Sequence, residues 1–264
     1  MSEAEAISLE SPGKGASNMR SLERAMDVLD ALVKHEGPVR LADVARATGL
    51  HRATALRILT TLQKRDYVTS DAGGYRVGVA VLAAAHAFLV SDSVSRAAAP
   101  VLQELAATTG LTASYHVRSG MERIVVARVE GTYPLRYQLP IGRRLPLYLG
   151  AGKVLAAWMT EADLEELIST AGTMRSAEGV VITPEALRGQ LALIRTRGYN
   201  ITVNERAVGT SGASAPVHGV DGDVVGVATL SGPSERHSID ELEAWVPELR
   251  RAAGALAAAQ ARVL

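Results

Sequence analysis

Basic side chains cluster in one short stretch of the sequence. Between Val44 and Arg65 there are five basic residues and no acidic one. In a helix-turn-helix, the second helix enters the major groove of DNA, and its N-terminal residues reach the base edges. An Arg there can donate two parallel hydrogen bonds to guanine, and a Thr can contact a phosphate, a base edge or a thymine methyl group. DNA contact is therefore one hypothesis for this cluster; a solvated helix surface is the simpler one.

The flanking sequence predicts the elements that would present the cluster to DNA. Apolar spacings of three and four indicate helices from about Ser21 to His35, from Leu41 to Thr48 and from Arg52 to Arg65. Gly49 provides the positive φ of a tight turn, and two β-prone runs around Gly73-Gly74 indicate a hairpin. This order is typical of a winged helix-turn-helix and favours DNA binding. The candidate DNA-contacting residues are Arg40, His51, Arg52, Ala53, Thr54, Arg57 and, in the hairpin, Arg76.

The hairpin also contains Tyr75, which has two possible roles. Its hydroxyl could contact a DNA phosphate together with Arg76, or its ring could close the small core of the domain. We favour the core interpretation.

Small residues mark a second candidate site further along the chain. Residues 150–152 and 209–214 are Gly, Ala, Ser and Thr where a packed core would hold bulkier side chains. Small residues let the backbone approach a ligand, and a helix starting at Ala151 would offer free N–H groups to an anion. Thr229 and Ser231 alternate along a predicted strand, so their hydroxyls share one face. We therefore predict a pocket for a small organic acid at Gly150, Ala151, Gly212, Thr229 and Ser231; ordinary loops are the alternative.

Catalytic motifs are not found. The chain has no Cys, no G-x-S-x-G sequence, no H-E-x-x-H sequence and no complete phosphate-binding loop. A metal held by His116 and His218 is a minor hypothesis, and we expect no catalytic residue, cofactor or metal. The rival is a metabolite-processing enzyme with an accessory helix-turn-helix, whose general base would be Glu205, His116 or His218. A protein-interaction module is a third reading, disfavoured by the acid-free basic stretch.

Composition and the pattern of predicted helices and strands divide the chain into four parts. We predict a disordered tail over 1–17, the winged helix-turn-helix over 18–79, a linker helix over 80–94 and an effector-binding domain over 95–264. Strand-like runs, one of them at 135–139, alternate with helical runs in the last part, which indicates a mainly antiparallel sheet and an α+β fold. The net charge of zero argues against a polybasic binder. The longest apolar run, Val77 to Val90, is too short to cross a bilayer, so a cytoplasmic protein without membrane contact is expected.

Several short motifs occur in a fixed order from Ser21 to the C-terminus. In the first part they are residues 21–29, 41–45, 48–50 and 75–78; in the second they are Leu145-Pro146-Leu147, Gly152-Lys153, Arg197-Gly198-Tyr199, Ala215-Pro216-Val217 and Ser231-Gly232-Pro233. Through these motifs the sequence resembles the IclR family of bacterial transcriptional regulators, and their number and order make the resemblance specific.

The resemblance implies a winged helix-turn-helix joined by a linker helix to a GAF-like α/β effector domain. It also implies a homodimer or tetramer that binds palindromic double-stranded DNA and responds to a small metabolite, with repression the favoured mode. The five pocket residues named above match the family's pocket positions. Two features depart from the family pattern: Tyr148 stands where many members have His, and Ser211-Gly212 stands where many have Arg-Cys. Both lie at the predicted pocket, so the effector's identity is not implied.

Overall fold

A computed structural model describes residues 12–91, 93–132 and 139–261. The chain forms two compact units, the first ending at Leu89 and the second beginning at Val90. Within the described residues, no helix combines the length and the apolarity that a membrane span requires. The predicted strand at 135–139 lies outside the described residues except for Leu139, which is not in a strand.

The first unit contains three helices, a hairpin and the start of a fourth helix. Its elements are α1 (Pro12–Val33), α2 (Leu41–Thr48), α3 (Arg52–Gln63), β1 (Val68–Asp71), β2 (Gly74–Val77) and α4 (Ala80–Ser91). The core is small and aliphatic, built from Val28, Leu32, Val44 and Leu59. Gly49 ends α2 at a φ of 65°, as the turn requires. The predicted helix-turn-helix with a hairpin is therefore present.

Helix α1 begins earlier than the sequence predicted. It starts at Pro12, so residues 12–17 of the predicted disordered tail are helical. Proline suits the first turn of a helix, because its φ is already helical and its missing N–H would have no partner there. Ser21, the predicted start of this helix, therefore lies inside α1.

The second unit is an antiparallel sheet with helices on its faces. Its elements are α5 (Ser93–Thr109), β3 (Thr112–Ser119), β4 (Glu122–Val129), β5 (Arg144–Pro146), α6 (Gly152–Ala156), α7 (Glu161–Ala171), α8 (Pro184–Arg197), β6 (Asn200–Val203), β7 (Thr210–His218), β8 (Val224–Pro233), α9 (Ile239–Ala244) and α10 (Val246–Ala261). The strand order is β5-β4-β3-β8-β7-β6, and every neighbouring pair is antiparallel. The predicted α+β fold class is confirmed.

Side-chain alternation gives the two faces of this sheet different chemistry. Ala113 pairs with Leu230, and both are fully buried in the core that includes residues of α5 and α10. The next pair along the same strands, Ser114 and Thr229, faces the other way, because successive strand residues alternate between faces. This second face carries the hydroxyl groups that the candidate pocket needs.

Candidate functional site

Helix α3 presents the predicted DNA-contacting residues to solvent. His51 precedes the helix with extended backbone angles, and its side chain makes no capping hydrogen bond. Arg52, Ala53 and Arg57 are exposed, while Thr54 is half-buried. The opposite side of α3 is anchored in the core by Ala55 and Leu59, which are fully buried. The start of α3 is therefore available to base edges, as the second helix of this motif must be.

Sequence analysis missed two further residues on the exposed face of α3. Leu56 is 43% exposed, and Thr60 is exposed one turn later. The Thr60 hydroxyl donates to the carbonyl of Leu56 at 2.9 Å. Leu56 thus offers an apolar surface of the kind that contacts thymine methyl groups. Residues 53, 57 and 60 follow the helical spacing of three and four, and this spacing could have indicated that they share one face of α3.

The other candidate DNA contacts differ in how freely they can reach DNA. Arg40 is exposed at the start of α2. Arg76 forms an ion pair with Asp71 inside the hairpin, so a phosphate would compete with that carboxylate. Tyr75 is half-buried against the small core, and its backbone exchanges hydrogen bonds with Val39 at 2.8 and 2.9 Å. The position of Tyr75 supports the core interpretation.

All five predicted pocket residues line one cavity in the second unit. The cavity measures about 40 Å³, and Gly150, Ala151, Gly212, Thr229 and Ser231 all border it. Gly212 pairs with Ser231 across β7 and β8, and a Cβ at Gly212 would lie 2.6 Å from the carbonyl oxygen of Leu230. Glycine is therefore required there by the close approach of the strands as well as by the cavity. The Ser231 hydroxyl makes no hydrogen bond with any described residue, so it is available to a ligand.

The predicted helix after Gly150 is present, but its first two amides are engaged within the chain. Helix α6 spans Gly152–Ala156, so it begins one residue after the predicted start at Ala151. The N–H groups of Gly152 and Lys153 already donate to the carbonyls of Leu149 and Gly150 within a tight turn. The turn satisfies these amides locally, so they are not free for an anion.

A buried relay of hydrogen bonds runs beneath the cavity. Arg123 Nη1 lies 2.7 Å from His116 Nδ1, and a guanidinium has no acceptor, so Nδ1 accepts and the ring proton is on Nε2. That Nε2–H donates to Ser114 Oγ at 2.9 Å, and the Ser114 hydroxyl donates to Thr229 Oγ1 at 2.6 Å. Thr229 in turn donates to the Ser114 carbonyl at 3.4 Å. The Thr229 hydroxyl therefore offers a ligand only an acceptor.

Charged side chains surround the cavity, and the sequence did not indicate the two arginines among them. Arg123 and Arg206 both line it, as does Glu205. Lys153 forms a buried ion pair with Glu205 at 2.7 Å. Burial and then the charge of Arg206 lower the pKa of Arg123 to about 9, against the opposing effect of Glu205. Burial and then the charge of Arg143 lower the pKa of Arg206.

The groups proposed for a catalytic or metal site are engaged in other contacts. Glu205 is paired with Lys153, and His116 accepts from Arg123. His218 packs edge-on against Trp158, with 5.8 Å between ring centroids, and its Nδ1 lies 3.1 Å from the carbonyl of Gly222. No group of three or more His, Cys, Asp or Glu side chains suited to a metal occurs among the described residues. The geometry therefore favours a binding pocket.

The burial of His116 predicts a dependence of stability on pH. Burial, followed by the charges of Arg123 and Arg206, lowers the pKa of His116 well below its ordinary 6.5. The unfolded chain consequently binds one more proton than the folded chain once the pH falls below about 6.5. The free energy of unfolding should then fall by up to about 1.4 kcal/mol per pH unit through this group.

Urea unfolding between pH 7.5 and 5 measures this effect. Tryptophan fluorescence monitors the second unit alone, because Trp158 and Trp245 are the only two Trp residues. His116→Gln keeps a donor for Ser114 but cannot be protonated, so its stability should fall less steeply with acid. Parallel pH profiles for the two proteins would contradict the assignment.

Two family models match most of the chain. Residues 21–72 match the IclR helix-turn-helix domain, and residues 86–258 match the C-terminal domain of the bacterial transcriptional regulator IclR. The two matched segments contain the helix-turn-helix and every residue named at the pocket.

Two curated regulators of transcription are similar to this chain over most of its length. The chain is 30% identical over 244 residues to the HTH-type transcriptional regulator XynR of Escherichia coli, covering 91% of this chain and 97% of XynR. It is 28% identical over 229 residues to the transcriptional repressor IclR of Escherichia coli, covering 85% and 84%.

Two solved structures share the fold. An IclR family regulator from Brucella abortus has a TM-score of 0.76 at 24% identity, covering 94% of this chain and 96% of that one. An IclR homolog from Microbacterium hydrocarbonoxydans, solved with 4-hydroxybenzoate, has a TM-score of 0.69 at 21% identity, covering 92% and 100%.

Proposed function

The chain belongs to the IclR family of bacterial transcriptional regulators, and from this premise we propose that it is an effector-responsive repressor that binds a palindromic operator as a homo-oligomer. The observation that carries the proposal is the pairing of two sites in one chain: an exposed recognition helix and a cavity bordered by buried charged groups. Relatives named as transcriptional repressors support the repressor assignment. The relatives named above are regulators of transcription, which excludes the enzyme alternative.

We propose that α3 reads the operator through Arg52 and Arg57, with His51, Ala53 and Thr54 beside them. Both Arg side chains are exposed and make no ion pair with a described residue, so their guanidinium groups are free to pair with guanine or phosphate. Arg40 and Arg76 are assigned to the phosphate backbone, where contacts set register without reading sequence.

Exposed apolar helix faces support the homo-oligomer. On α1, Met19, Leu22 and Met26 are each more than half exposed, and Val33 is 40% exposed. Their spacing follows the three- and four-residue alternation of a two-helix seam. None of the twelve residues of α4 is buried, although this helix is almost wholly apolar. Such faces are stable in water when a second copy of the chain covers them.

We propose that the effector acts by linkage. A ligand that binds one arrangement of the oligomer more tightly shifts the population toward it, and the operator responds to the same shift. Two recognition helices must lie about 34–36 Å apart, or a multiple of this, to enter successive major grooves. A change of spacing by the effector would therefore detach one half-site. The organic acid held by the Microbacterium homolog supports an acidic effector here.

Fluorescence anisotropy with DNA from upstream of the protein's own gene tests the DNA-binding function. Salt concentration is the variable, because phosphate contacts release counterions and make affinity fall steeply with salt. Nanomolar binding that exceeds binding to scrambled DNA by about 10³-fold or more is expected of a specific regulator. Equal affinity for upstream and scrambled DNA, together with no sequence preference among duplexes selected from a random pool, would contradict the proposal.

A further inference from the structure

Arg123 is a buried cation with most of its donors unused. Its side chain lies at the cavity and is 2% exposed, yet its hydrogen bond to His116 is the only one it makes among the described residues. Its Nε–H is buried and has no partner there. Its Nη2 lies 3.6 Å from the position that a Cβ on Gly150 would occupy. A buried guanidinium with unsatisfied donors is costly unless an anion completes its hydrogen bonds.

Arg206 supplies a second positive charge to the same cavity. It follows β6 and is partly buried, and it makes no ion pair or hydrogen bond with a described residue. The charge of Arg206 acts on Arg123 strongly enough to oppose its protonation. Two like charges are therefore held close together at one small cavity.

The remaining charges at the cavity do not neutralise this pair. Glu205 is the only acidic residue among the described lining residues, and Lys153 already pairs with it at 2.7 Å. His116 is neutral, because its Nδ1 accepts from Arg123. The cavity thus carries about two uncompensated positive charges, which calls for two negative charges on the ligand.

The size of the cavity limits the ligand that can bring these charges. A volume of about 40 Å³ holds the centres of about three water molecules, at roughly 10–15 Å³ each. A compact ligand that carries both negative charges on a short skeleton suits this space better than a bulky one. Ser231 adds a free hydroxyl, and Thr229 adds an acceptor, so a hydroxyl or keto group on such a ligand is also accommodated.

We propose that the effector is a small dicarboxylate, with one carboxylate on Arg123 and the other on Arg206. This inference rests on the proposed function, since it names the ligand class of the pocket through which the repressor responds. Guanidinium groups are well suited to bind such a ligand, because their parallel N–H groups match the two oxygens of a carboxylate.

Isothermal titration calorimetry on the full chain without DNA tests the inference with four probes. Succinate carries two carboxylates, butyrate carries one on the same carbon chain, inorganic phosphate is a dianion without carboxylates, and 4-hydroxybenzoate is an aromatic acid. Succinate should bind about tenfold more tightly than butyrate, the value of one charge-assisted contact, and more tightly than phosphate or 4-hydroxybenzoate. Equal or tighter binding of any of the other three would overturn the dicarboxylate assignment.

Three variants locate the two carboxylates. Arg206→Gln should remove the preference for succinate while leaving the affinity for butyrate within about twofold. Arg123→Met should weaken both succinate and butyrate by about thirtyfold or more, because the buried partner of the carboxylate is lost. Arg118→Gln is the matched control: it removes a cation from β3 that pairs with Asp163, and both affinities should stay unchanged. If Arg123→Met fails to fold, judged by tryptophan fluorescence, Arg206→Gln alone decides.

Parallel operator titrations separate this inference from the proposed function. Unchanged succinate binding in Arg206→Gln would overturn the inference, and the repressor would stand if the operator is still bound specifically. Succinate binding with the expected variant pattern, but no specific operator binding, would overturn the repressor and leave the ligand class intact.

Discussion

Replacing Arg52 and Arg57 together with Ala is expected to abolish specific operator binding at physiological salt. Each Arg that pairs with a base contributes about 1–3 kcal/mol, and the two are separated by more than one helical turn, so their losses should nearly add. Both are exposed on α3, whose buried side keeps Ala55 and Leu59 in the core. The fold should therefore survive the change.

Anisotropy with operator and scrambled DNA, measured for each single variant, distinguishes the contacts. A variant that loses a base contact should lose affinity for the operator more than for scrambled DNA. A variant that loses a phosphate contact should lose affinity for both and reduce the salt slope by about 1. Lys34→Ala, which removes an exposed charge of the first unit outside α2 and α3, should change little. Unchanged operator affinity in both Arg variants would remove α3 from the interface.

Ser231→Leu is expected to abolish the effector response while operator binding persists. Ser231 faces Gly212 across the strands that form the cavity, and Leu would place three carbons where one hydroxyl oxygen lies. A cavity of about 40 Å³ cannot hold both this side chain and a ligand. The proposed DNA-contacting residues belong to the other unit, so the variant should occupy the operator at every effector concentration.

Ser231→Ala is the matched control for Ser231→Leu. It removes the free hydroxyl but keeps the space, so it should weaken effector binding by only about 0.5–1.5 kcal/mol, the net value of one hydrogen bond. Titrating the operator complex of each variant with effector separates the two effects. A normal response in Ser231→Leu would place the effector site elsewhere in the protein.

The architecture was predictable from the sequence because its signals are local. Gly49 after an amphipathic helix marks the turn, Thr183-Pro184 marks the start of α8, and Ser238 with Glu241 forms the capping box at α9. The pocket glycines and hydroxyl residues were predictable for the same reason, because small and polar residues stand out within apolar strands.

The charged part of the pocket was not predictable, because it depends on strand register. Arg123 lies on a strand where a cation usually faces solvent, and nothing near it in sequence indicates burial. The β3–β4 pairing shifts at an irregularity between Tyr115 and His116. Arg123 and His116 are brought together by this tertiary pairing, and Arg206 comes from the loop after β6. A shift of register by one residue turns a side chain to the other face of the sheet, so a residue type alone does not show that Arg123 faces the cavity.

The helix-end errors also have physical causes. Helix propensity does not fix where α6 begins, because Leu149 and Gly150 accept hydrogen bonds in a turn and leave only Gly152–Ala156 helical. At α1, the proline that would mark a loop in most contexts is instead the first helical residue. In both cases the local backbone geometry, and not the pattern of apolar residues, sets where the helix begins.

The most direct test of the account is the operator dissociation constant with and without a ligand that calorimetry has shown to occupy the pocket. Coupling between the two sites predicts a change of about 5- to 150-fold, with the same factor seen when ligand affinity is measured on the operator complex. Ser231→Leu should eliminate this change. An operator affinity that stays constant while the pocket fills would contradict the account, because the pocket would then have no regulatory link to DNA.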